Sequence, residues 1–66
     1  MKLFVNGKAR EFPGVRTLPE LVEALGLPAP SLLIEHNGVA LHRREWEDRP
    51  LAEGDRLEIL RIASGG

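Results

Sequence analysis

The chain of 66 residues contains no cysteine, and that absence excludes several chemistries at once. Disulfides cannot brace the fold, a thiolate cage cannot hold zinc, and no thiol can act as nucleophile or carry a persulfide. Two histidines are the only imidazoles, too few for a structural zinc site. Neither sign of charge is in surplus: nine Lys and Arg against ten Asp and Glu leave a net charge of -1. Nucleic-acid binding draws on a basic excess, so a nucleic-acid partner is not expected. Apolar runs extend only a few residues, against roughly 20 for a membrane-spanning helix. Met1 passes directly into an alternating segment, with no basic-then-apolar leader. A cytoplasmic chain with no membrane partner is the expectation.

What is present suffices for one small domain. A chain this short buries only about 60% of the surface it exposes when unfolded. The 42% of hydrophobic residues can still make a core. A ligand pocket of about 300 Å³ or more would hollow out much of it. Size alone therefore argues against a free-standing enzyme.

Residues 2–6 alternate and end in Asn6-Gly7, a dipeptide suited to two turn positions with positive φ. Residues 8–12 form the returning strand, stopped by Pro13-Gly14. The period then changes. Leu18, Leu21, Val22 and Leu25 fall on one stripe of a helix. Thr17 and Glu20 make a capping box, Pro19 fits the first turn, and Gly26 followed by Pro28 ends the helix. Residues 27–31 form a stiff connector. Residues 32–36 read as a buried strand, turning at Asn37-Gly38 into a short strand over 39–41. Residues 42–49 are polar and fit a loop or a single helical turn. A tight turn at 53–55 precedes the last strand, 56–62.

One amphipathic helix must bury its leucines against the only available partner, the sheet. With the helix as crossover, the first and last strands lie side by side and parallel. The expected class is α+β, a β-grasp or ubiquitin-like mixed sheet packed on one helix. A ferredoxin-like fold would need a second helix, which the sequence lacks. Residues 1–62 form the domain, and 63–66 form a flexible tail ending in Gly65-Gly66.

That ending is the most informative feature. A chance pair at a tolerant terminus is the bland alternative. Its place directly after a strand of a ubiquitin-like fold favours function. Residues without Cβ let an extended segment enter a narrow channel, and four residues reach about 13–14 Å. A free carboxylate is a poor acyl donor and must be activated, most economically by ATP. The chain would then be a macromolecular substrate, with the catalytic residues on its partners.

The whole chain resembles the ThiS family of sulfur carriers in thiamine thiazole synthesis. The residues carrying the resemblance are Asn6-Gly7, Thr17 with Glu20-Leu21, and Glu35-His36-Asn37-Gly38-Val39. Arg43 with Trp46, the run from Pro50-Leu51 through Gly54-Asp55, Leu57 and Ile59, and Gly65-Gly66 complete it. The resemblance implies that Gly66 is adenylated by an E1-like enzyme (ThiF) using ATP and Mg, then converted to a thiocarboxylate. Gly65 is the access residue. It also implies a persulfide donor on another protein, delivery of sulfur to thiazole synthase (ThiG), and a carrier that is monomeric when free. This chain would bind no cofactor or metal and hold no catalytic residue. A MoaD-like subunit of molybdopterin synthase, or a carrier or modifier for tRNA thiolation, would share the fold and the ending.

Strand parity adds an interface expectation. Leu3, Val5, Leu57 and Ile59 fit the face under the helix, which turns Phe4, Leu60 and Ile62 to the other face. With no second helix to cover them, they would form an apolar patch leading to the C-terminus. Phe4, Leu60, Ile62, Ala63 and Trp46 are the candidate interface residues, although packing against the sheet edge is the simpler role for Trp46. His36 and His42 fit structural or surface positions better than catalysis, and Arg43-Arg44 fits a solvated pair.

Overall fold

A computed structural model describes residues 1–62; Ala63, Gly65 and Gly66 lie outside the described residues. Strands β1 (Lys2–Val5) and β2 (Lys8–Glu11) pair antiparallel from Lys2 opposite Glu11 to Val5 opposite Lys8. Asn6 at φ 50° and Gly7 at φ 81° supply the two left-handed positions of the turn. That turn twists in the same sense as the strands it joins.

The helix α1 spans Leu18–Leu25. Its start is held by the Glu20 carboxylate, which accepts from the Arg16 and Thr17 amides at 2.9 and 3.0 Å and from the Thr17 hydroxyl at 3.2 Å. Its end is Gly26, left-handed at φ 68°, whose amide donates to the Glu23 carbonyl. Eight residues are too few for a stable isolated helix, so α1 owes its stability to packing. Leu18, Leu21 and Val22 are buried, and Leu25, at the end of the stripe, only partly.

The connector is more regular than its proline content suggests, because Ala29–Ser31 closes one 3₁₀ turn. Then come β3 (Leu32–His36) and β4 (Val39–Leu41), joined by a turn at Asn37, φ 50°, and Gly38, φ 85°. A 3₁₀ turn at Arg43–Glu45 follows, and β5 (Arg56–Arg61) ends the sheet. The order across the sheet is β2-β1-β5-β3-β4. The last strand is central, parallel to β1 and antiparallel to β3. This is the β-grasp arrangement, with α1 covering one face. No described helix is long and apolar enough to cross a membrane.

Leu3, Leu57 and Ile34 from the sheet and Leu18 and Leu21 from the helix are the largest side chains fully withdrawn from solvent. Two expectations need correction. β3 is not buried throughout: Leu32, Ile34 and His36 face the core, while Leu33 is 53% exposed on the other face. Three consecutive apolar residues hide that alternation from the sequence. Trp46 is core, only 4% exposed, and so is not a surface anchor for a partner. The Arg43 guanidinium lies 5.0 Å from its ring centroid. Because Leu18 donates to Arg49 and Leu51 to Arg16, the segment carrying Trp46 is tied to the start of α1.

Candidate functional site

The candidate site is the C-terminal end of β5 and the sheet face beside it. Backbone pairing with β1 stops early, at Phe4 opposite Arg56 and Val5 opposite Leu57. Beyond that point the Asn6 side chain substitutes for a strand. Its Nδ2 donates to the Ile59 carbonyl at 3.1 Å, and its Oδ1 accepts from the Ile59 amide at 2.7 Å. Asn6 therefore serves both the hairpin and β5, a role invisible in a dipeptide motif. On the other side, β3 pairs with β5 as far as Arg61, and the Ile62 amide still donates to Ser31 at 2.6 Å. Both flanks hold the strand that leads toward Gly65-Gly66.

The parity expected for β5 is the parity observed. Leu57 is buried under α1 and Ile59 partly so. Leu60 is 63% exposed and Ile62 43% exposed. Phe4 shares this open face but is half-buried, with the Lys2 ammonium and the Arg56 guanidinium each 5.5 Å from its ring centroid. Cation–π contacts of this kind cover the ring with charge. Leu33, directly opposite Leu60, extends the apolar surface toward Ala40, and an open cleft of about 630 Å³ lies there. Of the five interface candidates, the structure brings Phe4, Leu60 and Ile62 to one face. It sends Trp46 to the core, and Ala63 lies outside the described residues.

His36 is buried in a polar network rather than offered to solvent. Its Nδ1 accepts from Arg49 Nε at 3.0 Å, which leaves Nε2 to donate to Asp55 Oδ2 at 2.6 Å. Asp55 also accepts from the Ala52 amide and from Asn37 Nδ2, while Asn37 Oδ1 accepts from the Arg56 amide. Partial burial works against ionisation of Asp55, but the hydrogen bonds from His36, Ala52 and Asn37 outweigh it and hold the carboxyl below its ordinary value. The network locks the β3–β4 turn to the loop entering β5. Every hydrogen bond of His36 among the described residues belongs to this network, as expected of a structural histidine. His42 is exposed, with its amide bonded to Glu45.

A carboxyl with a lowered folded-state pKa contributes stability that is complete above its unfolded value. That stability fades as pH falls through the folded value. The melting temperature should therefore hold from neutral pH to about pH 4 and fall below it. Asp55→Asn should melt lower at neutral pH and show a shallower acid slope. An unchanged acid slope would remove Asp55 from the network's energetics. Glu20, lowered by the Arg16 and Thr17 amides, adds to the same slope.

Comparison with known proteins bears on the whole chain. Residues 3–66 match the ThiS family. The sulfur carrier protein ThiS of Thermus thermophilus is 33% identical over 64 residues, covering 97% of this chain and 98% of that protein. A thiazole synthase of Paramagnetospirillum magneticum is 30% identical over all of this chain, which spans only 20% of that protein's length. In three dimensions, the crystal structure of the thiamine biosynthesis protein ThiS from Geobacter metallireducens superposes with a TM-score of 0.85. It is 33% identical, with both chains fully covered. The solution structure of the Geobacter protein gives 0.81, covering 88% of that chain. Family, full-length relative and superposable fold agree, and the chain belongs to the ThiS family.

Proposed function

We propose that this chain is a sulfur carrier for thiamine biosynthesis, a protein co-substrate rather than an enzyme. The observation that supports it most is the course of β5 in a ThiS-family chain. The central strand, held on both flanks, runs on in sequence to Gly65-Gly66. In this reading the Gly66 carboxylate attacks the α-phosphorus of ATP on an E1-like adenylyltransferase and pyrophosphate leaves. The acyl-adenylate then accepts sulfur from a persulfide on another protein, with loss of AMP. A thiol reduces the resulting acyl disulfide to the thiocarboxylate. ATP and Mg belong to the adenylyltransferase, and this chain contributes no resident cofactor.

Thiazole synthase takes up the sulfur. The Paramagnetospirillum relative supports that partnership, because a segment resembling this whole chain makes up a fifth of a protein named thiazole synthase. The chain acts as a cytoplasmic monomer between its encounters with these partners. Incubation with the same organism's E1-like enzyme and ATP should produce ATP–pyrophosphate exchange that depends on this chain. Exchange at the rate of enzyme alone would overturn the reading.

The open face is the surface these partners meet. Leu60→Asp places a charge at a side chain 63% exposed, so the melting temperature should change little. Affinity for the adenylyltransferase should fall by about tenfold or more, since a desolvated carboxylate would have to enter an apolar contact. Loss of folding with no selective loss of affinity would show Leu60 to be structural.

A further inference from the structure

The open sheet face carries a second feature that carboxylate chemistry does not use. Two residues along from the Leu33–Leu60 pair, Glu35 stands directly opposite Glu58 on the same two strands. Both are exposed. Like charges directly opposite one another in an antiparallel pair are destabilising. Among the described residues neither carboxylate is in an ion pair: the one pair found there joins His36 to Asp55. Arg56, the cation nearest along β5 on this face, lies over the Phe4 ring. The two carboxylates and the two leucines line the same open cleft of about 630 Å³, together with Ala40 and Asn6.

An apolar cleft with an uncompensated acidic pair at one end fits an occupant of matching character. We propose that it docks a segment of thiazole synthase carrying an arginine beside an apolar side chain. The guanidinium bridges Glu35 and Glu58, and the apolar group covers Leu33 and Leu60. A planar guanidinium can donate to two carboxylates at once, and a cation held there removes their mutual repulsion on binding. The choice of occupant rests on the sulfur-carrier reading and on the thiazole synthase that contains a segment like this chain.

The test is calorimetric binding of the full chain to purified thiazole synthase of the same organism, at low and high salt. Glu35→Gln with Glu58→Gln should weaken binding by about tenfold or more at low salt and flatten the salt dependence. The melting temperature of that double variant should equal or exceed the parent's, because a repulsion has been removed. Leu33→Ser should weaken binding at both salt concentrations. An affinity for the double variant within about twofold of the parent would overturn the clamp while leaving the partnership intact. Weakening only toward the adenylyltransferase would overturn the choice of occupant. A parent chain that fails to bind thiazole synthase would overturn the partnership and the docking surface together, while adenylation of Gly66 would still report separately on the carrier chemistry.

Discussion

Deletion of Gly66 should abolish ATP-dependent adenylation by the E1-like enzyme and leave circular dichroism and the melting curve unchanged. The second half follows from the fold: among the described residues the buried core is built from side chains between Leu3 and Leu57. The first half follows from reach. Removing one residue withdraws the carboxylate by about 3.5 Å. In a site built for in-line attack on a phosphorus atom, a misplacement of about 1 Å can cost 100-fold. The new terminal carboxylate of Gly65 is chemically equivalent, so only position has changed. Gly65→Val should give a similar loss, because a β-branched side chain adds bulk and restricts the backbone where a narrow channel must be threaded. Truncated protein adenylated at the parent rate would mean that the C-terminus is not the reactive group.

Leu21→Ala should have the largest effect on stability. Leu21 is 0% exposed at the centre of the helix stripe, and an eight-residue helix depends on such packing even with both ends capped. Truncating a buried leucine costs about 2–5 kcal/mol through lost transfer energy and the cavity left behind. A domain of this size has about 3–10 kcal/mol in total. The melting temperature should fall by about 10 °C or more. Leu60→Ala, the same deletion on the open face, should stay within about 0.5 kcal/mol of the parent. Equal melting of the Leu21 variant and the parent would contradict the packing of helix on sheet.

Local signals were legible in the sequence wherever a short stretch determines its own geometry. Asn6-Gly7 and Asn37-Gly38 occupy the left-handed positions their residue types favour, and Thr17, Glu20 and Gly26 mark both ends of α1. The parity of β5 was also legible, since it needs only strand alternation and one covered face. What sequence did not reveal is set by residues distant along the chain. His36 meets Asp55, 19 positions away, and Arg49, 13 positions away, and no local pattern marks that encounter. The Asn6 amide reaches Ile59 across 53 positions. Leu33 lacked a signal of another kind. Flanked by Leu32 and Ile34, it reads as part of a buried run, and only the pairing of β3 beside β5 on a sheet with one bare face exposes it. Trp46 was legible in part: packing was the simpler role for a lone Trp in a polar segment, but the bonds that tie this segment to the start of α1 and carry the indole into the core join residues far apart in sequence.

The central claim is that Gly66 carries sulfur, and intact-mass spectrometry of the chain from its native cells tests it most directly. A fraction of the protein should be heavier by the difference between sulfur and oxygen. Fragmentation should place that change at Gly66, and mild alkylation should modify the same atom in a chain that has no cysteine to compete. The change should vanish from protein lacking Gly66. A single unmodified mass, under conditions in which the cells are making thiamine, would contradict the sulfur-carrier reading.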